Sequence, residues 1–194
     1  MKAVPQSFDQ VTLRTERLLL RPLRESDAPR LFAIFSDSRV TRYLSAPAWS
    51  TIDMAHERIA KDIEAMATGR YVRLGLEVTS GGNLIGECSL FNLVEQCRRA
   101  ELGYSMALEA QGKGLMNEAL VSLLEFGFSQ LALNRVEADI DPRNAASAKS
   151  LERLGFRKEG HLRERWIVAG EVSDSDLYGL LRSEWQAREL SGGA

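Results

Sequence analysis

Two glycines set between an extended run and a leucine-rich one put the strongest limit on how this chain folds. They lie in Gln111-Gly112-Lys113-Gly114-Leu115-Met116-Asn117-Glu118-Ala119-Leu120. Glu101 to Leu108 reads as a strand leading into them, and Leu120, Leu123, Leu124 and Leu131 recur behind them at helical spacing. The first turn of a helix leaves four amide N–H groups without internal partners, and the helix dipole adds about half a positive charge there. Gly112 and Gly114 remove the Cβ atoms that would hold a diphosphate away from such donors. Two readings stand side by side: an anion-binding corner, or a tight strand–helix connection and nothing more. The spacing fits neither a Walker loop, because Lys113 is followed by Gly114, nor a three-glycine dinucleotide fingerprint.

The flanking sequence supplies the other elements. Arg17 to Leu23 reads as a first strand broken by Pro22, and Ser26 as the N-cap of a short helix carrying Leu31, Phe32, Ile34 and Phe35. Arg39 to Trp49 reads as a loop. Ser50 and Asp53 resemble a capping box for a helix running to about Thr68 and stopped by Gly69. Tyr71 to Val78 and Leu84 to Phe91 form strands around the turn Ser80-Gly81-Gly82-Asn83. Val136, Ala138 and Ile140 alternate with Glu137, Asp139 and Asp141, the mark of a half-buried strand. A helix from about Asn144 to Leu154 ends at Gly155, and strands follow at His161 to Val168 and Ser173 to Leu181, with Trp166 and Trp185 packing on the last strands. This order predicts one α/β (α+β) domain over residues 11–190: a mixed, mostly antiparallel sheet of about seven strands flanked by about four helices. Residues 1–10 and 191–194 are expected to fray as flexible termini.

Composition narrows the function. Twenty-five Lys+Arg against 27 Asp+Glu give a net charge of -2, which argues against a dedicated nucleic-acid binder. Cys88, Cys97, His56 and His161 make neither a disulfide framework nor a four-ligand zinc site, so no metal is expected. No apolar run approaches the roughly 20 residues of a membrane span. A cytoplasmic protein with no membrane and no direct nucleic-acid partner is the expectation.

With Gln111 and Gly114 matching the pattern Gln/Arg-x-x-Gly-x-Gly/Ala, the chain resembles the GNAT superfamily of acyl-CoA-dependent N-acyltransferases, and especially its ribosomal-protein N-terminal acetyltransferase (RimJ/RimL-type) branch. Met116 departs at the last position of the pattern. Thr15 to Pro22, Asp141 to Phe156, and Glu159-Gly160 through Trp185 also match, so the resemblance runs from about Thr15 to Trp185. It implies a GNAT fold splayed between the fourth and fifth strands, with acetyl-CoA as cosubstrate in the gap. Backbone groups near Tyr104 to Leu108, with Met106, Ala107 and Leu108 foremost, would hold the pantetheine arm, and Gln111, Gly112, Lys113, Gly114, Leu115, Met116 and Asn117 the diphosphate. Asn144, Ser147 and Leu151 share one helix face. By resemblance Asn144 contacts the arm. Leu151 stands where many members carry a tyrosine acid, which makes Ser147 the candidate general acid. The plainer alternatives are an N-cap at Asn144 and a packing residue at Ser147.

Glu101 is the candidate base, set against an ordinary ion pair with Arg98 or Arg99; Glu87 is a weaker candidate. Tyr43, Trp49 and Glu87 are expected around the acceptor. An α-amine has a pKa of about 7.7–8.0 and a lysine about 10.4, so near neutral pH the lysine needs about three units of help, roughly 4 kcal/mol, where a weak base suffices for the α-amine. The resemblance thus implies acetyl transfer to a primary amine, foremost a protein or peptide N-terminus. A small-molecule amine acceptor and a non-catalytic acyl-CoA-binding module are the alternatives, and a monomer or homodimer is expected.

Overall fold

A computed structural model of the chain describes residues 7–190. One eight-stranded sheet runs β1-β2-β3-β4-β5-β6-β8-β7. Its strands are β1 Leu13–Arg14, β2 Leu18–Arg21, β3 Val72–Val78, β4 Leu84–Val94, β5 Arg99–Met106, β6 Arg135–Ile140, β7 Arg157–Val168 and β8 Glu171–Leu181. All neighbours pair antiparallel except β5 and β6, which are parallel. The helices are α1 Ala28–Phe35, α2 Ser38–Thr41, α3 Asp53–Ala67, α4 Leu115–Ser129, α5 Ala145–Arg153 and α6 Arg182–Leu190.

Side-chain alternation assigns the two faces. Cys88 and Leu90 of β4 pack into the main core with α4, whereas the adjacent Glu87 meets Arg58 of α3, so α4 and α3 lie on opposite faces. Leu151 of α5 joins the main core, and Trp185 of α6 stacks on Phe128 of α4, which places α5 and α6 on the α4 side. Ala119, Leu120, Leu123 and Leu124 are fully buried, each leucine contributing about 2 kcal/mol through burial. Gly127 lets α4 lie close to the sheet, since a Cβ there would meet Leu90 Cδ1 at 3.0 Å. A smaller core joins α1, α3, Leu84 and Ala107 on the other face.

Two features shape the centre of the sheet. β5 and β6 pair only over Arg99↔Arg135, Ala100↔Val136 and Glu101↔Glu137, and beyond that point they diverge. β4 and β5 instead stay close: a Cβ on Gly86 would sit 2.3 Å from the Ser105 carbonyl oxygen. The splay expected between the fourth and fifth strands is therefore present, at β5 and β6 once the two-residue β1 is counted.

Several local expectations need correction. Among the described residues there are eight strands and six helices, where about seven and about four are expected; β1, the single turn α2 inside the expected loop Arg39 to Trp49, and α6 are the additions. Ser26 caps nothing; the Asp27 carboxylate takes the Arg24 N–H at 2.7 Å and pairs with Arg21, opening a 3₁₀ turn ahead of α1. Ser50 and Asp53 make no capping box, for α3 starts after Ile52 without a side-chain cap and the Ser50 N–H points to Met54 Sδ. Trp185 lies on a helix, and Trp166 is 38% exposed rather than packed. Phe8, inside the stretch expected to fray, is fully buried, and its N–H bonds the Met66 carbonyl at 2.7 Å. Residues 1–6 and 191–194 of the expected flexible termini lie outside the described residues.

Candidate active site

The divergence of β5 from β6 opens an edge of main chain. Ala107 donates its N–H to Ile85 of β4 at 2.8 Å. Alternation then turns the main-chain groups of Tyr104 and Met106 to the other edge, toward the gap. The Met106 carbonyl takes a bond from Gln111 Nε2 at 3.0 Å, which ties the end of the strand to the glycine loop. Leu108 begins a short 3₁₀ turn, and Met106 and Ala107 are buried.

Gly112 and Gly114 both adopt left-handed backbone, at φ +74 and φ +76. Only glycine holds this conformation without strain, and it aims the first turn of α4 at solvent. The first bond of the helix runs from Glu118 N–H to Gly114 C=O, so the amides of Leu115, Met116 and Asn117 precede the ladder. Arg17 braces this corner from the start of β2. Its Nη1 donates to the Lys113 carbonyl at 3.0 Å, and its Nε donates to Glu118 at 2.6 Å. Burial raises the Glu118 pKa, but bonds from Thr15 and Arg17 outweigh it and hold the carboxyl below its usual range.

The N-terminus of α5 faces β5 across the gap. Asn144 is the N-cap: its side-chain oxygen accepts the Ser147 N–H at 3.1 Å. Ser147 is 8% exposed, Leu151 is fully buried, and the Ser147 hydroxyl lies 2.6 Å from the Tyr104 hydroxyl. Burial pushes the Tyr104 phenol up to about 12.

On the opposite face, Glu101 stands where β5 and β6 part and accepts a bond from Asn92 Nδ2 at 3.0 Å. Arg99 pairs with Glu137 rather than with Glu101. Glu87 lies between two guanidiniums, Arg73 at 2.6 Å and Arg58 at 2.9 Å. Beside it the buried Asp62 accepts the Tyr71 hydroxyl at 2.6 Å and pairs with Arg58 and Arg73. Desolvation raises both carboxyls, Asp62 to about 6, against the pull of Arg58.

Trp49 stacks on Phe35 at 4.7 Å, packing the loop onto α1. Tyr43 lies under Arg42 and Arg143, at 5.2 and 5.8 Å from its ring. Arg143 also bonds Asp141 at 2.6 Å and Glu171 at 2.5 Å, linking the Tyr43 loop, the turn before α5 and the start of β8. His56 is exposed, while His161 sits between Asp174 and Asp176.

The fold therefore gathers the glycine loop, Met106, Ala107, Asn144 and Ser147 around the gap, and sets Glu101 and Glu87 on the other face. Sequence reasoning missed Arg17, the phenol of Tyr104, Arg143, and the cluster of Arg58, Asp62 and Arg73. The partners that join them to other elements lie far along the chain, Glu118 for Arg17, Ser147 for Tyr104, Glu171 for Arg143 and Glu87 for Arg58, and the strand pattern around Tyr104 offered the one local hint, by placing it on the side of Leu102 and Met106.

The family model described as acetyltransferase (GNAT) domain matches residues 17–157. The uncharacterized N-acetyltransferase p20 of Bacillus licheniformis is 36% identical over 90% of this chain and 98% of its own. The [ribosomal protein uS5]-alanine N-acetyltransferase of Escherichia coli is 30% identical over 91% of this chain and 93% of its own. The spermidine N-acetyltransferase of Vibrio cholerae, solved in complex with CoA and spermine, superposes at a TM-score of 0.79 with 25% identity, covering 89% of this chain and 99% of that one.

Proposed function

Because the chain belongs to the GNAT acetyltransferase family, as an acetyl-CoA-dependent N-acetyltransferase, we propose that its acceptor is the α-amine at the N-terminus of a protein or peptide. The observation that carries this reading is the engagement of the carboxylates on the acceptor face. Glu87 is clamped by Arg58 and Arg73, and Glu101 is bonded to Asn92. Carboxylates already engaged in this way have to give up a partner to take a proton. An α-ammonium, with a pKa about 2.5 units below that of lysine, asks roughly 3.4 kcal/mol less of them. The 30% identity to the uS5-alanine enzyme supports the same acceptor class.

The residues fit acetyl-CoA. Left-handed Gly112 and Gly114 leave open a cradle that side chains would crowd, and β5 presents main-chain groups where it leaves β6. The cosubstrate supplies a thioester carbonyl and a thiol leaving group. In our reading the amides of Gly112 to Asn117 hold the diphosphate, with Lys113 adding charge and Gln111 fixing the loop to β5. Tyr104, Met106, Ala107 and Leu108 line the arm, and Asn144 orients the first turn of α5 beside it. A main-chain donor of β5 would stabilise the oxygen that gains charge, a contribution of about 3 kcal/mol. Ser147 then donates a proton toward the departing sulfur. Glu101 takes the proton of the amine, and Tyr43 and Trp49 bound the acceptor side.

Thiol release from acetyl-CoA in the presence of peptides of varied first residue, set beside spermidine and single amino acids, tests the acceptor. We expect turnover with peptides bearing a small first residue. Turnover with spermidine or single amino acids and none with any peptide overturns the reading.

A further inference from the structure

We propose that Tyr104 is a positioning residue that acts through Ser147, a role that rests on Ser147 being the proton donor. Tyr104 projects from β5 to the face carrying α4 and α5, just past the point where pairing with β6 stops. Its hydroxyl comes within 2.6 Å of Ser147 Oγ, bridging the open gap from strand to helix. Between a phenol and an aliphatic hydroxyl the phenol is the stronger acid and the better donor. With the phenol as donor, Tyr104 occupies one lone pair of Ser147 Oγ, and the Ser147 carbonyl 3.4 Å away is its weaker second acceptor. The serine's own proton is left to turn toward the sulfur. Asn144 fixes the Ser147 backbone from below through the N–H bond at 3.1 Å, so backbone and side chain are each held by one partner. With the tyrosine gone, the serine hydroxyl is free to rotate, as an unrestrained serine on a helix does.

The test is a double-mutant cycle with Tyr104→Phe and Ser147→Ala, reading kcat and the acetyl-CoA KM with whichever of an alanine-first peptide and spermidine turns over. Tyr104→Phe is expected to lower kcat about tenfold with an unchanged KM for acetyl-CoA, and to have no further effect in the Ser147→Ala background, as groups acting as a unit are non-additive. Wild-type kcat in Tyr104→Phe, with Ser147→Ala impaired, overturns the positioning role and leaves the serine reading intact. Equal losses in both backgrounds also overturn it, since the tyrosine would then act independently. Wild-type kcat in Ser147→Ala overturns the serine reading and, with it, this role. A melting temperature for Tyr104→Phe within a few degrees of the parent and an unchanged Kd for CoA separate the effect from unfolding.

Discussion

The side of the sheet proposed for the coenzyme and the side proposed for the acceptor are built from different materials. On the first the parts are mostly main chain: two left-handed glycines, the first amides of α4, and an edge of β5 released from β6, joined by the Asn144 and Ser147 side chains. On the acceptor side they are long charged side chains, with Arg58, Arg73, Asp62 and Glu87 interlocked beneath α3 and Arg143 tying three loops. Main-chain sites tolerate sequence change as long as the backbone keeps its path. A buried charge network does not, because each member desolvates the others and leaves them stranded when it is removed.

The largest expected effect follows from that contrast. Glu87 and Asp62 have side chains only 7% and 2% exposed. Glu87→Ala leaves two partly buried guanidiniums short of a partner, and we expect it to cost about 3 kcal/mol of stability, read as a shift of the urea midpoint at constant slope. A loss below 1 kcal/mol would mean that the network is solvated, and the contrast between the two sides would fail.

Next comes the pH dependence of the same network. The Asp62 carboxyl is raised from 3.8 to about 6 in the folded chain, by desolvation. A group whose pKa rises on folding stabilises the protein below its unfolded pKa, and that contribution is lost as pH climbs through the folded value. Relative to Asp62→Asn, the parent should therefore lose up to roughly 3 kcal/mol of stability between about pH 4 and pH 7. Chemical denaturation of both proteins across that range checks it. A difference that is flat with pH, or that grows in the parent's favour, contradicts the raised pKa.

The coenzyme side gives a smaller effect of another kind. Gly114→Leu forces a side chain into left-handed backbone, at a cost of about 1–2 kcal/mol, beside an Arg17 guanidinium that a Cβ would approach to 3.6 Å. If the backbone relaxes to relieve it, the amides of α4 turn away from the diphosphate. CoA binding by calorimetry should then weaken by roughly 5- to 30-fold, with the fold retained in circular dichroism. Unchanged affinity would put the diphosphate elsewhere.

The same contrast decides what could be read in the sequence. The glycine loop, the leucine face of α4, and the Asn144, Ser147, Leu151 face were legible because each is local: a few neighbouring residues fix φ, period or cap. The gap itself was reached through resemblance, since nothing in β5 or β6 alone says that pairing stops after Glu101. The acceptor side was least legible. Arg58 reads as one charge on a solvated helix until β3 and β4 bring Arg73 and Glu87 beneath it. Trp185 read as strand because Ser173 to Leu181 flows into it without a break, whereas α6 exists through packing of that tryptophan on Phe128 and its indole N–H bond to Glu125. Ser26 and Ser50 are plausible caps that are not used: Asp27, paired with Arg21, takes the place of Ser26, and the Ser50 N–H bonds Met54 Sδ within its own turn.

The smallest expected effect sharpens the acceptor side alone. Tyr43 is half-buried under the guanidiniums of Arg42 and Arg143, and the second of these joins it to Asp141 and Glu171. A partly solvated cation–π contact is worth about 0.5–1 kcal/mol, and exposed ion pairs little more. Tyr43→Ala should therefore leave melting nearly unchanged while loosening the loop over the acceptor. Because the coenzyme contacts are proposed on the other face, the loss should fall on one substrate only. The peptide KM should rise about two- to fivefold, with the acetyl-CoA KM and kcat at their parent values. A rise confined to acetyl-CoA would place Tyr43 on the wrong side of the sheet, whereas equal rises for both substrates would join the two sides into one unit and dissolve the comparison.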